Sequence, residues 1–221
     1  MESPWDEWES AAAEILSATA TSAPVDAFAL AKACGYEVKP FAGRGAERRG
    51  DKIFVNMKMR PQRQHMSITH ELGHHALERH EIEDSEWGAK WAGGALLLPR
   101  REFGRHLTRT AWSLPKLQAI HVNASATAIA VRITQLRTAA ATILDPCGHR
   151  KSWRVISPWV EDRAVRKLSA WEQDLAAQAY DRREEVRGDE LCYAIPLLDS
   201  ETPDEHRVLV VCEVEQLTRR L

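Results

Sequence analysis

Long hydrophobic runs are missing from this sequence, and so is a leader of the kind that directs secretion. The longest apolar block ends at Leu96-Leu97-Leu98, well short of the roughly 20 apolar residues that a membrane-spanning helix requires. The N-terminal stretch is acidic and has no apolar core. We therefore expect a cytoplasmic protein that makes no membrane contact.

Cysteine is also scarce. Cys34, Cys147, Cys192 and Cys212 are far apart in the sequence, and no two of them form a Cys-x-x-Cys pair. This spacing argues against a disulfide framework and against a thiolate metal site. We expect reduced, mostly buried thiols.

A large net charge of either sign is absent, because 30 Lys and Arg residues nearly balance 32 Asp and Glu residues. Basic residues nevertheless dominate residues 39–63 and 100–154, whereas acidic residues dominate the chain after residue 154. Surfaces of opposite sign can attract an acidic peptide, a nucleic acid or a charged partner. They are equally compatible with solvated faces that bind nothing, so charge alone does not select a function.

Apolar periodicity, caps and breakers predict short helices and strands in mixed order. Residues 42–46 have the composition of a loop, and Ser169 and Glu172 have the spacing of a capping box. The helices are predicted over about 4–18, 26–35, 61–78, 85–98, 114–121, 125–139 and 169–180, and the strands over about 36–41, 52–56, 142–145, 152–156, 191–198 and 208–214. This mixture indicates an α+β protein.

The helix predicted over residues 61–78 contains the sequence His70-Glu71-Leu72-Gly73-His74. Because the two histidines are four residues apart, both imidazoles leave the same face and can bind one ion, and neutral imidazole suits zinc. Glu71 lies too far round the helix to join them, but it can reach a water that the zinc activates and accept its proton during attack on a peptide carbonyl. The motif therefore predicts a zinc site with Glu71 as the general base.

Two histidines leave zinc short of a third protein ligand. Glu86 lies in the first turn of the next predicted helix, and a short acidic turn between the two helices would bring that first turn back towards His74. Glu81 and Glu83, within the turn, are alternative ligands that the sequence does not exclude. We expect His75 to lie beside the site or to be exposed rather than to bind the metal.

The order of these segments resembles the ImmA/IrrE family of metallopeptidases. The resemblance spans roughly residues 5–140, and its motifs are Ser67 to His74, Glu86-Trp87-Gly88-Ala89 and Leu96-Leu97-Leu98-Pro99. The family pattern of Glu-x-x-Ala followed by Leu-Leu-Met-Pro implies that Glu86 is the third zinc ligand. Lys90 stands where the family usually has Asn or Asp, and Ala92 stands where it usually has Phe. The surroundings of the ligands therefore depart from the pattern.

The resemblance implies a thermolysin-like zincin core with a small sheet. We accordingly expect a zinc metallopeptidase core over residues 1–99, a helix-turn-helix-like segment over residues 100–140 and a mixed α/β C-terminal region of unknown role over residues 141–221. Members of the family typically cleave a helix-turn-helix repressor, often one encoded alongside them, and so release a mobile-element or stress-response programme. The resemblance thus implies a zinc-dependent endopeptidase whose partner is a protein substrate such as a helix-turn-helix transcriptional repressor.

The strand predicted just before the motif helix is a candidate for substrate binding. If this strand formed a sheet edge, a peptide could add to it as a further strand. Phe54, Val55 and Asn56 are then the predicted substrate-binding residues. The alternative is an ordinary strand covered by the basic loop.

Residues 123–139 could form the second helix of a helix-turn-helix, in which Arg132 and Arg137 would contact DNA phosphates. Ile129, Ile133 and Leu136 recur at helical spacing, however, so we expect this helix to pack within the protein or to dock the substrate rather than to bind DNA. The alternative function is a non-catalytic, zinc-containing regulator that binds a repressor or DNA. A change at Glu71 that spares the metal discriminates between the two.

Overall fold

The computed structural model describes residues 4–144, 151–160, 167–188, 192–197 and 207–215. These residues form helices and strands in mixed order, as expected for an α+β protein. The helices are α1 Pro4–Ala18, α2 Ala27–Ala33, α3 Pro61–Arg79, α4 Glu86–Leu97, α5 Arg100–Arg109, α6 Leu114–Ile120, α7 Ala126–Leu136 and α8 Ala170–Arg182. The strands are β1 Glu37–Pro40, β2 Ala46–Arg49, β3 Lys52–Val55, β4 Ala139–Leu144, β5 Lys151–Ile156, β6 Val186–Arg187, β7 Cys192–Leu197 and β8 Arg207–Glu213.

The chain divides into two compact units. The first comprises Met1–His106 and Gln118–Ala128, and the second comprises Leu107–Leu117 and Ile129–Leu221. The helical segment predicted over residues 100–140 contributes to both units and does not form a unit of its own. In the part of the chain that the structure describes, no helix is both long and apolar enough to cross a membrane.

The first unit contains a three-stranded sheet in the order β1-β3-β2. Strand β3 runs parallel to β1 and antiparallel to β2, so it is the central strand. The prediction that residues 52–56 form a sheet edge is therefore wrong. The edge next to the motif helix is instead β2, a strand that the sequence analysis did not predict. Its residues, Ala46-Glu47-Arg48-Arg49, are three-quarters charged and lack the apolar alternation of a half-buried strand.

The core of the first unit lies between the sheet and helices α1 to α4. Helix α3 begins at Pro61, whose missing N–H costs nothing in the first turn, and it buries one apolar stripe. Asp26 caps α2, because its side chain accepts hydrogen bonds from the backbone N–H groups of Phe28 and Ala29. The buried apolar residues from these elements include Ile15, Leu30, Ile53, Val55, Ile68, Leu72, Ala76 and Leu96. This packing leaves the opposite, polar face of α3 available for chemistry.

Helices α3 and α4 approach each other backbone to backbone at two glycines. A methyl group at Gly73 would lie 2.2 Å from the carbonyl oxygen of Ala89, and one at Gly93 would lie 2.7 Å from the carbonyl oxygen of Thr69. No side chain fits at either point. Gly73, in the middle of the metal motif, therefore sets the distance between the two helices that carry the candidate ligands.

The second unit contains an antiparallel five-stranded sheet in the order β5-β4-β8-β7-β6. Strands β7 and β8, both predicted from the sequence, pair antiparallel within it. Helix α8 packs on this sheet and begins with the predicted capping box of Ser169 and Glu172. Glu172 also forms a buried ion pair with Arg154 at 2.6 Å, so this carboxylate serves both the helix cap and the sheet.

The structure corrects the expectation of reduced thiols for one cysteine pair. Cys192 and Cys212 are directly opposed on β7 and β8, and the structure joins them in a disulfide. Their separation of 20 residues gave no sign of this, because the pairing arises from strand register. Cys34 is free, and Cys147 lies outside the described residues.

Helix α7 is buried on several sides. Ile129, Ala130 and Ile133 are fully buried, and Arg132 is only 1% exposed. The guanidinium of Arg132 donates a hydrogen bond to the side-chain oxygen of Gln135 at 3.1 Å. The role considered for Arg132 as a DNA phosphate contact is therefore wrong, since a buried guanidinium cannot reach a phosphate. Of the two arginines, Arg137 alone remains exposed.

Candidate metal centre

The candidate metal centre is formed by one face of α3 and the first turn of α4. His70 and His74 project from successive turns of α3, and Glu86 is the first residue of α4. Ser85 caps α4 by accepting a hydrogen bond from the N–H of Gly88 at 3.0 Å, which fixes where the helix begins. The close contact at Gly73 and Gly93 brings this helix start alongside α3.

The three side chains converge. The Nε2 atom of His70 lies 3.5 Å from one carboxylate oxygen of Glu86, and the Nε2 atom of His74 lies 3.6 Å from the other. One potential ligand atom from each residue lies within 4.8 Å of the other two. Among the residues that the structure describes, His70, His74 and Glu86 form the one group of His, Cys, Asp or Glu side chains that could hold a metal ion. Glu81 and Glu83, the alternative ligands, do not belong to it.

Asp84 orients one of the imidazoles, and the sequence analysis missed this role. Its Oδ1 atom lies 2.6 Å from the Nδ1 atom of His74. An ionised carboxylate only accepts, so Nδ1 donates this hydrogen bond and the ring presents its Nε2 atom towards Glu86. Metal-binding histidines are commonly held in this way by a carboxylate. That requirement, applied to the acidic turn before Glu86, is the signal that could have identified Asp84.

The chemistry of the donor set fits a metal ion. The group offers two largely buried imidazoles and one carboxylate, which is the type and number of ligands that metal sites with an open position use. One of the imidazoles is already oriented by a carboxylate. Burial, and then the neighbouring His74, lower the pKa of His70, so this imidazole is neutral and able to bind a cation. Lys90, a departure from the family pattern, lies 3.7 Å from Glu86, but both side chains are exposed and solvent weakens the pair.

Glu71 lies next to the ligands but points to the sheet. Its Oε2 atom accepts a hydrogen bond of 3.1 Å from the backbone N–H of Arg48 on β2. Burial raises the pKa of this carboxyl, and the charges of His74 and Arg48 together with this hydrogen bond oppose the rise. A raised pKa moves a carboxylate towards the range in which it can accept and return protons near neutrality.

The residues predicted to bind substrate do not meet the site as expected. Val55 is fully buried, and the side-chain amide of Asn56 donates to the carbonyl oxygen of Gly43 at 2.8 Å. Phe54 lies beneath the guanidinium of Arg49, 5.3 Å from its ring centre. Because β3 is paired on both sides, these residues cannot receive an added strand, and the premise of that prediction fails.

Three other side chains near the motif lie outside the group that could hold a metal ion, and for His75 this agrees with the expectation. His75 is half-buried, and its Nδ1 atom lies 3.0 Å from the hydroxyl of Tyr36, so it belongs to the contact between α3 and its neighbours. Trp91 is buried, and its indole N–H donates to the carboxylate of Glu9 at 3.0 Å. Trp87, in the first turn of α4, is 55% exposed.

Comparisons with known proteins find one family match and one similar fold. The sequence profile of the IrrE N-terminal-like domain of M78 peptidases matches residues 34–134, a range that contains the motif, Glu71 and Glu86. A solved structure described as a Mycobacterium tuberculosis transcriptional regulator has a TM-score of 0.69 and 13% identity, over 98% of this chain and 78% of that chain. At this identity the likeness concerns the fold alone. No curated protein matches the chain. Residues 34–134 therefore match the IrrE N-terminal-like domain, which confirms the resemblance of this segment to the ImmA/IrrE metallopeptidases.

Proposed function

We propose that this chain is a zinc-dependent endopeptidase with a zincin-type core. The observation that carries the proposal is the convergence of His70, His74 and Glu86, with the carboxylate of Glu71 next to His70 on α3 and held by the backbone of β2. Two imidazoles and a carboxylate are the ligand set of many catalytic zinc sites. A bound zinc ion supplies Lewis acidity towards a peptide carbonyl and makes water more acidic.

In this proposal each residue of the chain has a distinct task. His70, His74 and Glu86 would hold the ion, and Asp84 fixes the orientation of the His74 ring. Glu71 accepts the proton of the attacking water and delivers it to the leaving amine. Its raised pKa favours both transfers near neutral pH.

We propose further that the substrate binds as an extended strand along β2. This strand is the edge of its sheet, and the N–H of Arg48 on its outer side lies beside Glu71. An added strand would place its own peptide bonds next to Glu71 and the ligands. The family resemblance suggests a protein substrate, in particular a helix-turn-helix transcriptional repressor.

The test is a cleavage assay on purified repressors encoded beside the gene for this chain. We expect cleavage by the native chain, loss of cleavage with a chelator and recovery when zinc is restored. Glu71→Gln should keep the metal but cleave about 10²–10⁴-fold more slowly, whereas the control Glu83→Gln, a carboxylate of the neighbouring turn, should cleave normally. Repressor binding without cleavage, unaltered in Glu71→Gln, would favour the non-catalytic regulator instead.

A further inference from the structure

A polar stripe runs along α3 next to the candidate metal centre. Glu71, His75 and Glu78 stand at positions i, i+4 and i+7, so their side chains lie one above the other on the helix. Strand β2 lies along this stripe, and its residue Arg48 contacts both ends. The backbone N–H of Arg48 donates to Glu71 at 3.1 Å, and its guanidinium donates to both carboxylate oxygens of Glu78.

The guanidinium of Arg48 is held by more than Glu78. Its Nη1 atom lies 2.7 Å from Glu78 and also donates to the hydroxyl of Tyr36 at 3.1 Å. The same hydroxyl lies 3.0 Å from the Nδ1 atom of His75. A guanidinium that binds a carboxylate through two nitrogens has a defined orientation as well as a favourable energy. The side chain of Arg48 is 20% exposed, against 59% for its neighbour Arg49, which pairs with Glu47.

We propose that Arg48 is a positioning residue for Glu71. The N–H of Arg48 points away from β3, to the side on which β2 has no strand partner within the described ranges. Pairing with β3 holds β2 in the sheet, and Ala46 packs on the core. The anchor of the guanidinium on Glu78 and Tyr36 then holds the strand at Arg48 against α3, so it sets how closely that N–H approaches Glu71. The N–H in turn fixes one oxygen of Glu71. The proposal rests on the proposed function in one respect, namely that Glu71 is the general base.

The first test is independent of activity. Amide hydrogen exchange at position 48, measured by NMR on the full chain without metal and with zinc, reports whether this edge N–H is held. We expect slow exchange in the native chain, and exchange at least about tenfold faster in Arg48→Met and in the milder Glu78→Gln, because each removes the anchor and permits local opening. Arg49→Met removes the same charge from the same strand but not the anchor, so it should leave position 48 unchanged. Unaltered exchange at position 48 in Glu78→Gln and in a folded Arg48→Met would overturn the proposal.

The second test separates positioning from a general structural role. With the repressor that the native chain cleaves, Arg48→Met should lower kcat by about 10–100-fold, the scale of a small misplacement of a catalytic group, and leave the zinc content normal and KM within about twofold. In a Glu71→Asp background, whose shorter carboxylate no longer reaches the N–H, Arg48→Met should cause little further loss. Equal losses in both backgrounds would refute the positioning role. If the native chain cleaves nothing, the proposed function fails, and the exchange measurement still decides the contact between Arg48 and Glu71.

Discussion

Replacement of Gly73 by Ala tests whether the contact between α3 and α4 sets the geometry of the site. The added Cβ would lie 2.2 Å from the carbonyl oxygen of Ala89, whereas real Cβ contacts shorter than 3.0 Å essentially do not occur. The helices must therefore separate by about 0.8 Å, the difference between these two distances, because a backbone oxygen cannot rotate away. Metal–ligand distances vary by only about 0.2 Å around their usual values. A shift of α4 by more than this would carry Glu86 out of reach of an ion held by His70 and His74.

The expected effect is larger on metal binding than on stability. Overpacking of this kind costs about 1–3 kcal/mol, and the better helix propensity of Ala returns up to about 1 kcal/mol. We expect a net loss of about 1–2 kcal/mol, or a few degrees in Tm for a chain of this size. Zinc affinity should fall by at least the roughly 10–100-fold seen when an outer-shell partner is lost.

The assay is zinc titration by calorimetry, with the thermal midpoint measured on the same samples. Gly104→Ala is the matched control, because a methyl group there meets no atom within 4 Å and the same change of residue in α5 should be neutral or slightly stabilising. If the Gly73→Ala chain kept the native zinc affinity and the native stability, the added methyl group would not have separated the two helices. The claim that Gly73 sets the distance between α3 and α4 would then fail.

Three further predictions concern single side chains. Asp84→Asn should weaken zinc binding about 10–100-fold, because it removes the carboxylate that orients His74; equal affinity in a zinc titration would exclude this role. Glu86→Ala should lose most of the bound zinc whereas Glu83→Ala should retain it, and metal analysis that ranks them in reverse would contradict the ligand set. His121 is buried, and burial together with His106 lowers its pKa to about 4. The unfolded chain therefore binds more protons as the pH falls from about 6.5 towards 4, and stability should decrease by about 2 kcal/mol between pH 7 and 5. Urea denaturation across this range should show a smaller decrease for His121→Asn, and an unchanged decrease would assign the acid sensitivity to other groups.

The helices that carry the site could be predicted from the sequence because their signals are local. Pro61 marks the start of α3, and the spacing of His70 and His74 requires only that the segment be helical. The short turn before Glu86 then limits where that carboxylate can lie. Each inference depends on residues that are close in the sequence, and side chains four residues apart on a helix are neighbours whatever the rest of the fold does.

What could not be predicted depends on contacts between distant segments. Strand β2 was missed because charged side chains obscured its pattern, so β3 was taken for the edge. The burial of Arg132 and the disulfide between Cys192 and Cys212 likewise arise from packing and strand register. The close approach of the α4 backbone to Gly73 is likewise a contact between two separate helices, and the motif alone does not reveal it.

The most direct test of the central claim is the zinc content of four purified chains. Elemental analysis should find about one zinc ion per native chain, a similar amount in Glu71→Gln, and almost none in His70→Ala or His74→Ala. This pattern would assign the ion to the histidine pair and leave Glu71 free for proton transfer. Two results would contradict the account. The native chain could bind no zinc even when zinc is added in excess, or both histidine variants could retain the full amount of zinc.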